Sequence, residues 1–269
     1  MKLYILFTLW LIVFISNAQI QTSEKNLSHL SGVSDGTTDG RALDRWSFSG
    51  TQMWEPRYLA FAGKRVKYLP DDWREIIVIP EPPANSSIRT KAELHYLATL
   101  ISKRSNAKSE IEAEVSNLNL KWGEHTFQNL TKNKKYLQTS KLILETYDEL
   151  AIVCFTFKKR FNRVRPSILA EKMGLKLGTV VQVPNHPAYP SGHSIGAYTL
   201  AYILQELDPE NAEKFWKDAI RIAHNREIGG LHYPSDSEAG RQVARQIVDS
   251  LLENEKYQFL LDLARAEWK

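Results

Sequence analysis

The chain has 269 residues, 43% of them hydrophobic and 25% charged, so it can bury a sizeable core in one large domain or two small ones. Its 13 glycines and 11 prolines are too few for a disordered or fibrous protein. The formal net charge of +4 is a small excess for a nucleic-acid-binding protein, and we expect no nucleic acid as a partner.

The N-terminal stretch differs from the rest of the chain. Lys2 precedes an apolar run over residues 3–15, and Ser16 and Ala18 place small residues at the −3 and −1 positions of a cleavage site. This pattern is typical of a signal peptide in residues 1–18, with an uncleaved anchor as the alternative. We therefore expect an exported protein, periplasmic or extracellular, with no membrane span after signal cleavage.

The single cysteine, Cys154, lies in the apolar run 150–155 and allows no intramolecular disulfide. We expect a buried, unreactive thiol at this position. An exported protein without disulfides has to be stabilised by packing, which a chain of this length permits.

Residues 19–84 are predicted to form an irregular segment packed on the main domain. Residues 31–40 have the composition of a loop, and the aromatic residues of the segment follow no sustained period. The run Ile76–Ile79 predicts one short strand, and the turn-rich stretch 80–85 marks a boundary. A lid or specificity loop near the functional site is our hypothesis for this segment.

From residue 85 onward the hydrophobic spacing is helical. The first predicted helix follows Ser87 or Thr90, and the next two cover about 111–118 and 134–164. A fourth starts at Pro190 or Ser191 and ends near Leu207, and a fifth runs from Asp208 to Gly229. A sixth covers about 235–252, and the last follows Tyr257. Residues 167–189 are predicted to be a connecting loop. The predicted fold class is all-α, a helical bundle over residues 85–269 with a polar site built from facing helices.

The first group of candidate site residues is cationic. Lys158 and Arg165 lie seven residues apart, which is two turns along one helix face, just before Pro166. An arginine fork matches pairs of phosphate oxygens, and a lysine adds a point charge. Five basic residues within 158–165 create a local positive field that suits an anion, although two or three of them are expected to be solvated.

The second group, Pro190-Ser191-Gly192-His193, has the features of a helix N-terminus. The amides of Ser191 and Gly192 and the Ser191 hydroxyl are expected to face an anion, assisted by the helix dipole. Gly192 lets the backbone approach a ligand closely, and His193 is placed for proton transfer. A capped helix whose histidine only packs is the alternative.

The third group combines Arg226 with His232 and Asp236, separated by the turn Gly229-Gly230. A carboxylate that accepts the Nδ1 proton of an imidazole fixes its tautomer and orients Nε2 as an attacking group. Most His-x-x-x-Asp pairs are surface pairs, so this pair gains its meaning from the other two groups.

In this order the three groups resemble the type 2 phosphatidic acid phosphatase and vanadium haloperoxidase superfamily. The matching motifs are Lys158-x6-Arg165-Pro166, Pro190-Ser191-Gly192-His193 and Arg226-x5-His232-x3-Asp236. Within that superfamily the chain looks most like the bacterial class A non-specific acid phosphatases, whose central signature is similar to residues 188–194. The resemblance covers roughly residues 85–269 and implies their helical fold. Asn225 stands where the superfamily usually has serine, which implies altered detail rather than lost activity.

The resemblance also implies a role for each site residue. His232 is implied to attack phosphorus and form a phosphohistidine, with Asp236 orienting it and His193 protonating the leaving alcohol. The implied phosphate-binding groups are the three cations, one hydroxyl and one amide, from Lys158, Arg165, Arg226, Ser191 and Gly192. Because three cations take the place of a metal, no metal or other cofactor is expected, and vanadate is expected to inhibit.

The resemblance thus predicts a metal-independent phosphomonoesterase of broad specificity acting on small phosphorylated substrates, with a homo-oligomer left open. The alternative is a vanadium-dependent haloperoxidase, in which the same pocket binds vanadate as a cofactor through His232. A lipid phosphatase is a third hypothesis. A non-enzymatic phosphate-binding module is the last, but simple binding does not need a His–Asp pair.

The remaining histidines are assigned no chemistry. His186, close to the central motif, is predicted to be a surface-loop histidine, with a substrate contact as the alternative. His29, His95, His125 and His224 have no partner at metal-ligand spacing and are interpreted as structural or solvated.

Overall fold

The computed structural model describes residues 40–116, 121–122 and 125–269. The predicted signal peptide and residues 31–39 of the predicted loop lie outside the described residues. Within the described part of the chain, no helix is long and apolar enough to cross a membrane.

The described residues form thirteen α-helices and one pair of very short strands. In chain order the helices are α1 (Gly40–Asp44), α2 (Phe48–Thr51), α3 (Pro56–Phe61), α4 (Trp73–Ile76), α5 (Ile88–Thr99), α6 (Arg104–Ser116), α7 (Phe127–Lys132), α8 (Leu137–Phe161), α9 (Pro166–Lys172), α10 (Gly192–Leu207), α11 (Ala212–Ile228), α12 (Pro234–Leu252) and α13 (Glu255–Arg265). Strands β1 (Lys121–Trp122) and β2 (His125–Thr126) pair antiparallel. The predicted all-α class is confirmed.

The predicted helix starts agree well with the structure where a cap is present. Ser87 accepts a hydrogen bond from the amide of Thr90 at the start of α5, and Ser191 caps α10 in the same way. α8 ends earlier than predicted, because Asn162 adopts a left-handed conformation after Phe161. The prediction that Lys158 and Arg165 share one helix face is therefore wrong, since Arg165 lies beyond α8 and precedes α9 in an extended conformation. α6 begins at Arg104, before the predicted start, because its first turns are largely exposed and carry no apolar period.

Two predictions about irregular segments are wrong. The predicted loop 167–189 contains α9, because Pro166 occupies the first helical position and begins a new helix after Arg165. The predicted strand Ile76–Ile79 is absent, since Ile76 ends α4. Val78 instead exchanges both backbone hydrogen bonds with the side-chain amide of Gln246, each at 2.9 Å, so no strand partner is needed.

α10 lies at the centre of the bundle, and residues 194–201 are all buried. It packs against α11 and α12. A Cβ atom at Gly240 of α12 would lie 2.7 Å from the carbonyl oxygen of Ser191 and 2.7 Å from Cβ of Ser194. The two helices therefore approach closely only because residue 240 is glycine, and this contact holds the start of α10 beside the start of α12.

The described part of the N-terminal segment packs along α8. The buried carboxylate of Glu149 accepts hydrogen bonds from the amides of Lys67, Tyr68 and Leu69, at 2.7, 3.2 and 3.0 Å. On the same helix, Phe155 stacks against Tyr58 of α3 with ring centroids 4.9 Å apart. The segment thus covers α8 beside the site described next, whereas its boundary at residues 84–85 stays a prediction.

Candidate active site

The three groups of predicted site residues meet at one cavity of about 520 Å³. The cavity lies between the last turns of α8, the first turn of α10 and the connection from α11 to α12. Its walls include Lys158, Gly192, His193, Arg226 and His232. Arg165, Ser191 and Asp236 are fully buried directly behind these residues.

His232 is fixed by two partners, one at each ring nitrogen. Nδ1 lies 3.1 Å from Oδ2 of Asp236, and Nε2 lies 3.0 Å from a guanidinium nitrogen of Arg165. Because a carboxylate only accepts and a guanidinium only donates, Nδ1 carries the proton and Nε2 presents a lone pair. Burial and the nearby Arg165 lower the pKa of His232 well below its usual value, so the imidazole is neutral. The arrangement suits a nitrogen nucleophile.

Asp236 is held by a second set of contacts. Oδ2 accepts from the amide of Tyr233, at 2.9 Å, and Oδ1 accepts from the guanidinium of Arg163, at 2.6 Å. Burial alone would raise the pKa of Asp236, but Arg163 and His232 lower it to about 2. Arg163 also pairs with the buried Glu93, at 3.3 Å, and its guanidinium lies 3.9 Å from the ring centre of Tyr233. Asp236 therefore stays ionised and aimed at His232.

Lys158 is held in place by the loop that precedes α10. Its Nζ donates to the carbonyl oxygens of Pro187 and Ala188, at 2.7 and 3.0 Å. An ammonium group has three protons, so one of them is left for a ligand in the cavity. Burial lowers the pKa of Lys158 to about 7.

Arg165 is fixed by the same loop and by the residue before the nucleophile. Nε and Nη2 donate to the carbonyl oxygen of His186, at 3.0 and 2.9 Å, and Nη1 donates to the carbonyl oxygen of Leu231, at 2.9 Å. Burial lowers its pKa to about 10, so the guanidinium stays charged at neutral pH. Arg165 is thus a rigid fork beside Nε2 of His232.

The prediction of a surface position for His186 is wrong. The side chain lines the cavity, and its Nδ1 lies 2.9 Å from Nη2 of Arg165, which donates to it. The ring also makes edge contacts with Tyr58 and Phe155, with centroids 4.8 and 5.3 Å apart. Burial, reinforced by Lys158 and Arg165, lowers its pKa well below the usual value, so His186 is a neutral support for Arg165.

The start of α10 differs in one respect from the expectation. The Ser191 amide is engaged, because it donates to the backbone carbonyl of Asp236 at 2.9 Å. The Ser191 oxygen accepts from the amide of Ser194, at 3.3 Å, and its own hydroxyl proton remains to be donated. The Gly192 amide occupies the first position of the helix and has no intrahelical acceptor, so it remains a donor for an anion.

His193 is oriented through its far ring nitrogen. Nε2 lies 2.9 Å from the backbone carbonyl oxygen of Glu114, which only accepts, so Nε2 carries the proton and Nδ1 is left for proton exchange with a ligand. Burial and the nearby Arg226 lower the pKa of His193 to about 3. The ligand-free site therefore holds a neutral His193.

Arg226 is positioned by a buried carboxylate on α6. Glu114 is fully buried and accepts from Nη2 of Arg226, from Nη1 of Arg221 at 2.6 Å and from Nδ2 of Asn225 at 3.0 Å. Nε and Nη1 of Arg226 are buried and have no partner among the described residues, so both are donors for an anion in the cavity. Asn225 is thus a contact of the carboxylate that positions Arg226.

Three supporting residues escaped the motif analysis. Arg163 was counted only as one of several basic residues, and its partner Glu93 lies 70 positions earlier. Glu114 lies 112 positions before Arg226. The sequence does hold a local signal for the two glutamates. Each shares a helix face with an apolar core residue, Glu93 with Leu97 and Glu114 with Ile111. A charge on such a face needs a buried partner.

Within the described residues, no three His, Cys, Asp or Glu side chains cluster so as to hold a metal ion.

The part of the chain that holds the site is similar to known proteins. Residues 148–248 match the family profile described as the PAP2 superfamily. A non-specific acid phosphatase of Providencia stuartii is 31% identical over 111 residues, which are 41% of this chain and 45% of that protein. A non-specific acid phosphatase of Salmonella typhimurium is 33% identical over 86 residues, 32% of this chain and 34% of that protein. The matches thus span less than half of these relatives.

Solved structures share the fold at lower sequence identity. A bacterial vanadium-dependent iodoperoxidase superposes with a TM-score of 0.55 at 17% identity, covering 85% of this chain and 64% of the other. A bacterial vanadium-dependent chloroperoxidase in its apo form gives a TM-score of 0.59 at 15% identity, covering 78% of this chain and 57% of the other. Residues 148–248 hold all three motifs and match the PAP2 superfamily profile, so the predicted resemblance is confirmed for this part of the chain.

Proposed function

We propose that the protein is a phosphomonoesterase that transfers the phosphoryl group of its substrate first to His232 and then to water. The observation that carries this proposal is the neutral His232, whose Nδ1 is held by Asp236 while its Nε2 lone pair lies beside a cavity lined by cations. The similarity to proteins named non-specific acid phosphatases supports the phosphatase activity.

The first half of the reaction forms a phosphohistidine. Nε2 of His232 attacks phosphorus, the N–P bond forms, and the bond from phosphorus to the leaving oxygen breaks in line. The Nη1 proton of Arg165 that points at Nε2 in the free site is donated to a phosphoryl oxygen instead, which releases the lone pair, while the bonds to the carbonyl oxygens of His186 and Leu231 keep the guanidinium in place. Lys158, Arg226, the Ser191 hydroxyl and the Gly192 amide bind the same oxygens and stabilise the negative charge.

Proton transfer at the leaving oxygen is assigned to His193. The free imidazole is neutral, and a phosphate dianion next to it favours the protonated form, so substrate binding supplies the charge state that an acid requires. Nδ1 gives its proton to the departing alkoxide. In the second half the neutral His193 takes a proton from water as the water oxygen attacks phosphorus, the N–P bond breaks, and inorganic phosphate leaves.

We further propose that this reaction needs no metal, because Lys158, Arg165 and Arg226 supply three positive charges around the phosphoryl group. Vanadate is then an inhibitor, since it can adopt the five-coordinate shape of the transferring phosphorus.

Release of p-nitrophenol from p-nitrophenyl phosphate by the purified protein, with a chelator present, tests the reaction. We expect turnover that vanadate blocks, and loss of about 10³-fold or more in kcat for His232→Ala, which removes the attacking atom. His224→Ala, a partly exposed histidine on α11, is the matched control and should keep the wild-type rate. Chelator-resistant oxidation of bromide by peroxide after loading with vanadate, without ester hydrolysis, would support the haloperoxidase alternative instead.

We also propose export through residues 1–18, which carry the signal-peptide pattern. Mass spectrometry of the protein recovered from its host should find an N-terminus at Gln19. An intact N-terminus on the active protein would contradict cleavage.

A further inference from the structure

We propose that the cavity contains an apolar subsite for the leaving group, so that the preferred substrates are phosphomonoesters of apolar alcohols or phenols. This inference rests on the proposed phosphatase function, because it takes the cations of the cavity as the phosphate end. We call this region the leaving-group groove and define it by Tyr147, Leu150, Ala151 and Cys154 of α8.

The groove is one continuous stripe of a single helix. The cavity is lined by Tyr147, Leu150, Ala151, Cys154 and Lys158. Each of them lies three or four residues from another member of the set, which places them on one face of α8. Lys158 marks the phosphate end of the stripe. At 1.5 Å per residue, Tyr147 lies about 16 Å further along the helix. The stripe therefore leads directly away from the phosphate-binding site.

The facing walls are apolar as well. Val115 of α6, Phe127 of α7 and Ile195 of α10 line the same cavity. The ring of Phe127 lies 5.4 Å from that of Tyr147, which joins the walls at the far end. A leaving group here would lie mainly among alkyl and aromatic carbon atoms. The buried hydroxyl of Tyr147, which has no hydrogen-bond partner among the described residues, is a polar atom at the far end.

The charges that line the cavity are already assigned to partners or to phosphate. Arg57 pairs with Glu55 at 2.5 Å, and Glu114 is held by Arg226. Along the groove itself, the described side chains carry no charged group that a sugar, a nucleotide or a second phosphate could recognise. The polar lining residues Gln182 and Asn185 belong to the loop before α10, so a leaving group that lies along α8 meets a mainly apolar surface.

The size of the cavity also fits a leaving group in this place. A volume of about 520 Å³ falls in the range of about 300–1,000 Å³ typical of pockets that bury a whole small molecule. A single phosphate group fills only part of that space, so the rest is available to a ring or a short alkyl chain.

A homologous series of alkyl phosphates tests the inference without any mutation. Each methylene that the groove buries should raise kcat/KM by up to about fourfold, since it contributes about 0.8 kcal/mol. We expect kcat/KM to rise from ethyl to butyl to hexyl phosphate, and glycerol 2-phosphate to be the poorest substrate. A flat series, with turnover of all the esters, would overturn the groove but leave the phosphatase standing.

The variant Ala151→Trp fills the middle of the groove and should abolish the chain-length dependence while leaving inhibition by inorganic phosphate unchanged. Leu144→Trp is the matched control, because Leu144 lies on the same helix, is 55% exposed and does not line the cavity. An unchanged slope in a folded Ala151→Trp protein would contradict the assignment. If that variant fails to fold, the wild-type series still decides.

Binding of ethyl-, butyl- and hexylphosphonate, measured by calorimetry, separates the two proposals because it needs no turnover. Affinity that rises with chain length in a protein that hydrolyses no ester would support the groove and overturn the phosphatase. A flat binding series without any turnover would overturn both.

Discussion

At the scale of single residues, the site is a set of polar atoms with one role each, fixed by neighbours that only donate or only accept. The backbone carbonyls of Leu231, His186 and Glu114 hold Arg165 and His193, and carboxylates hold His232 and Arg226. Because these partners cannot reverse their roles, the tautomers of both histidines follow from the geometry. The site is therefore preorganised before a substrate binds.

Arg163 tests the importance of the support behind Asp236. Arg163→Met leaves Glu93 and Asp236 buried without their cation, and we expect a loss of about 3–5 kcal/mol in the free energy of unfolding, measured with urea. Arg163→Lys keeps the charge but not the fork, and should lower kcat about tenfold with little change in KM. Arg160→Met, at an exposed position nearby, should change stability by less than about 0.5 kcal/mol. Equal stability of the two methionine variants would contradict this role.

Lys158 should make anion binding depend on pH. Its pKa is lowered to about 7 by burial, so in the free site the ammonium loses its proton, and its charge, as pH rises through that value. Competitive inhibition by sulfate, which stays a dianion, should therefore weaken between about pH 6 and about pH 9. Sulfate should inhibit the Lys158→Met variant only weakly at every pH, and this inhibition should lose most of its pH dependence. A wild-type inhibition constant that does not change over the range would count against the lowered pKa.

At the scale of elements, the site depends on where helices begin. α10 and α12 start side by side, and the amide of Ser191 donates to the carbonyl of Asp236 across the gap. The start of α10 places Gly192 and His193 at the cavity, and the start of α12 places Asp236 one turn after His232. The closeness of the two starts is set by Gly240.

Gly240→Ala should separate these helix starts. The added Cβ would meet a backbone oxygen and a Cβ atom at 2.7 Å, and neither can move aside as a flexible side chain would. We expect a loss of about 1–3 kcal/mol in the free energy of unfolding and a lower kcat, measured by urea unfolding and ester hydrolysis. At Gly63 an added Cβ would have its nearest neighbour at 3.8 Å, so Gly63→Ala is the control and should be close to neutral. Wild-type activity in Gly240→Ala would contradict the argument.

How far apart two contacting residues lie along the chain decides which parts of the structure the sequence could predict. His232 and Asp236 lie four residues apart, so their spacing alone predicts that they share a turn. His193 lies 39 residues before His232, and only the resemblance to the superfamily joined it to them as one site. Glu93 and Glu114 contact the site through arginines that lie 70 and 112 positions later in the chain. No local spacing in the sequence indicates such distant contacts. The absent strand at Ile76–Ile79 shows the same limit, because the partner of Val78 is the distant side chain of Gln246.

At the scale of the whole molecule, the fold keeps buried histidines neutral at acidic pH values at which water would protonate them. His186, His193 and His232 are all held neutral, with their pKa values lowered first of all by burial. In the unfolded chain these histidines are exposed to water, so burial does not lower their pKa values. The folded protein is therefore less stable in acid than it would be if these histidines could take up protons in place.

Stability should fall as the solution becomes acidic. Below the unfolded pKa of about 6.5 an unfolded histidine takes up a proton, whereas folded His193 does so only near its lowered pKa of about 3. The stabilisation is thus present above about pH 6.5 and is lost as pH falls from there toward about pH 3. Urea unfolding at a series of pH values should show this, with a smaller slope for His193→Gln and in the presence of phosphate. Higher stability at about pH 5 than at about pH 7 would contradict the account.

The central claim is that His232 carries the phosphoryl group, and trapping that intermediate tests it most directly. We would mix the enzyme with p-nitrophenyl phosphate, quench it within one turnover in alkali and locate the adduct by mass spectrometry. The account predicts one acid-labile, alkali-stable phosphoryl group on Nε2 of His232, absent from His232→Ala. Rapid ester hydrolysis with no adduct, or with the adduct on another residue, would contradict it.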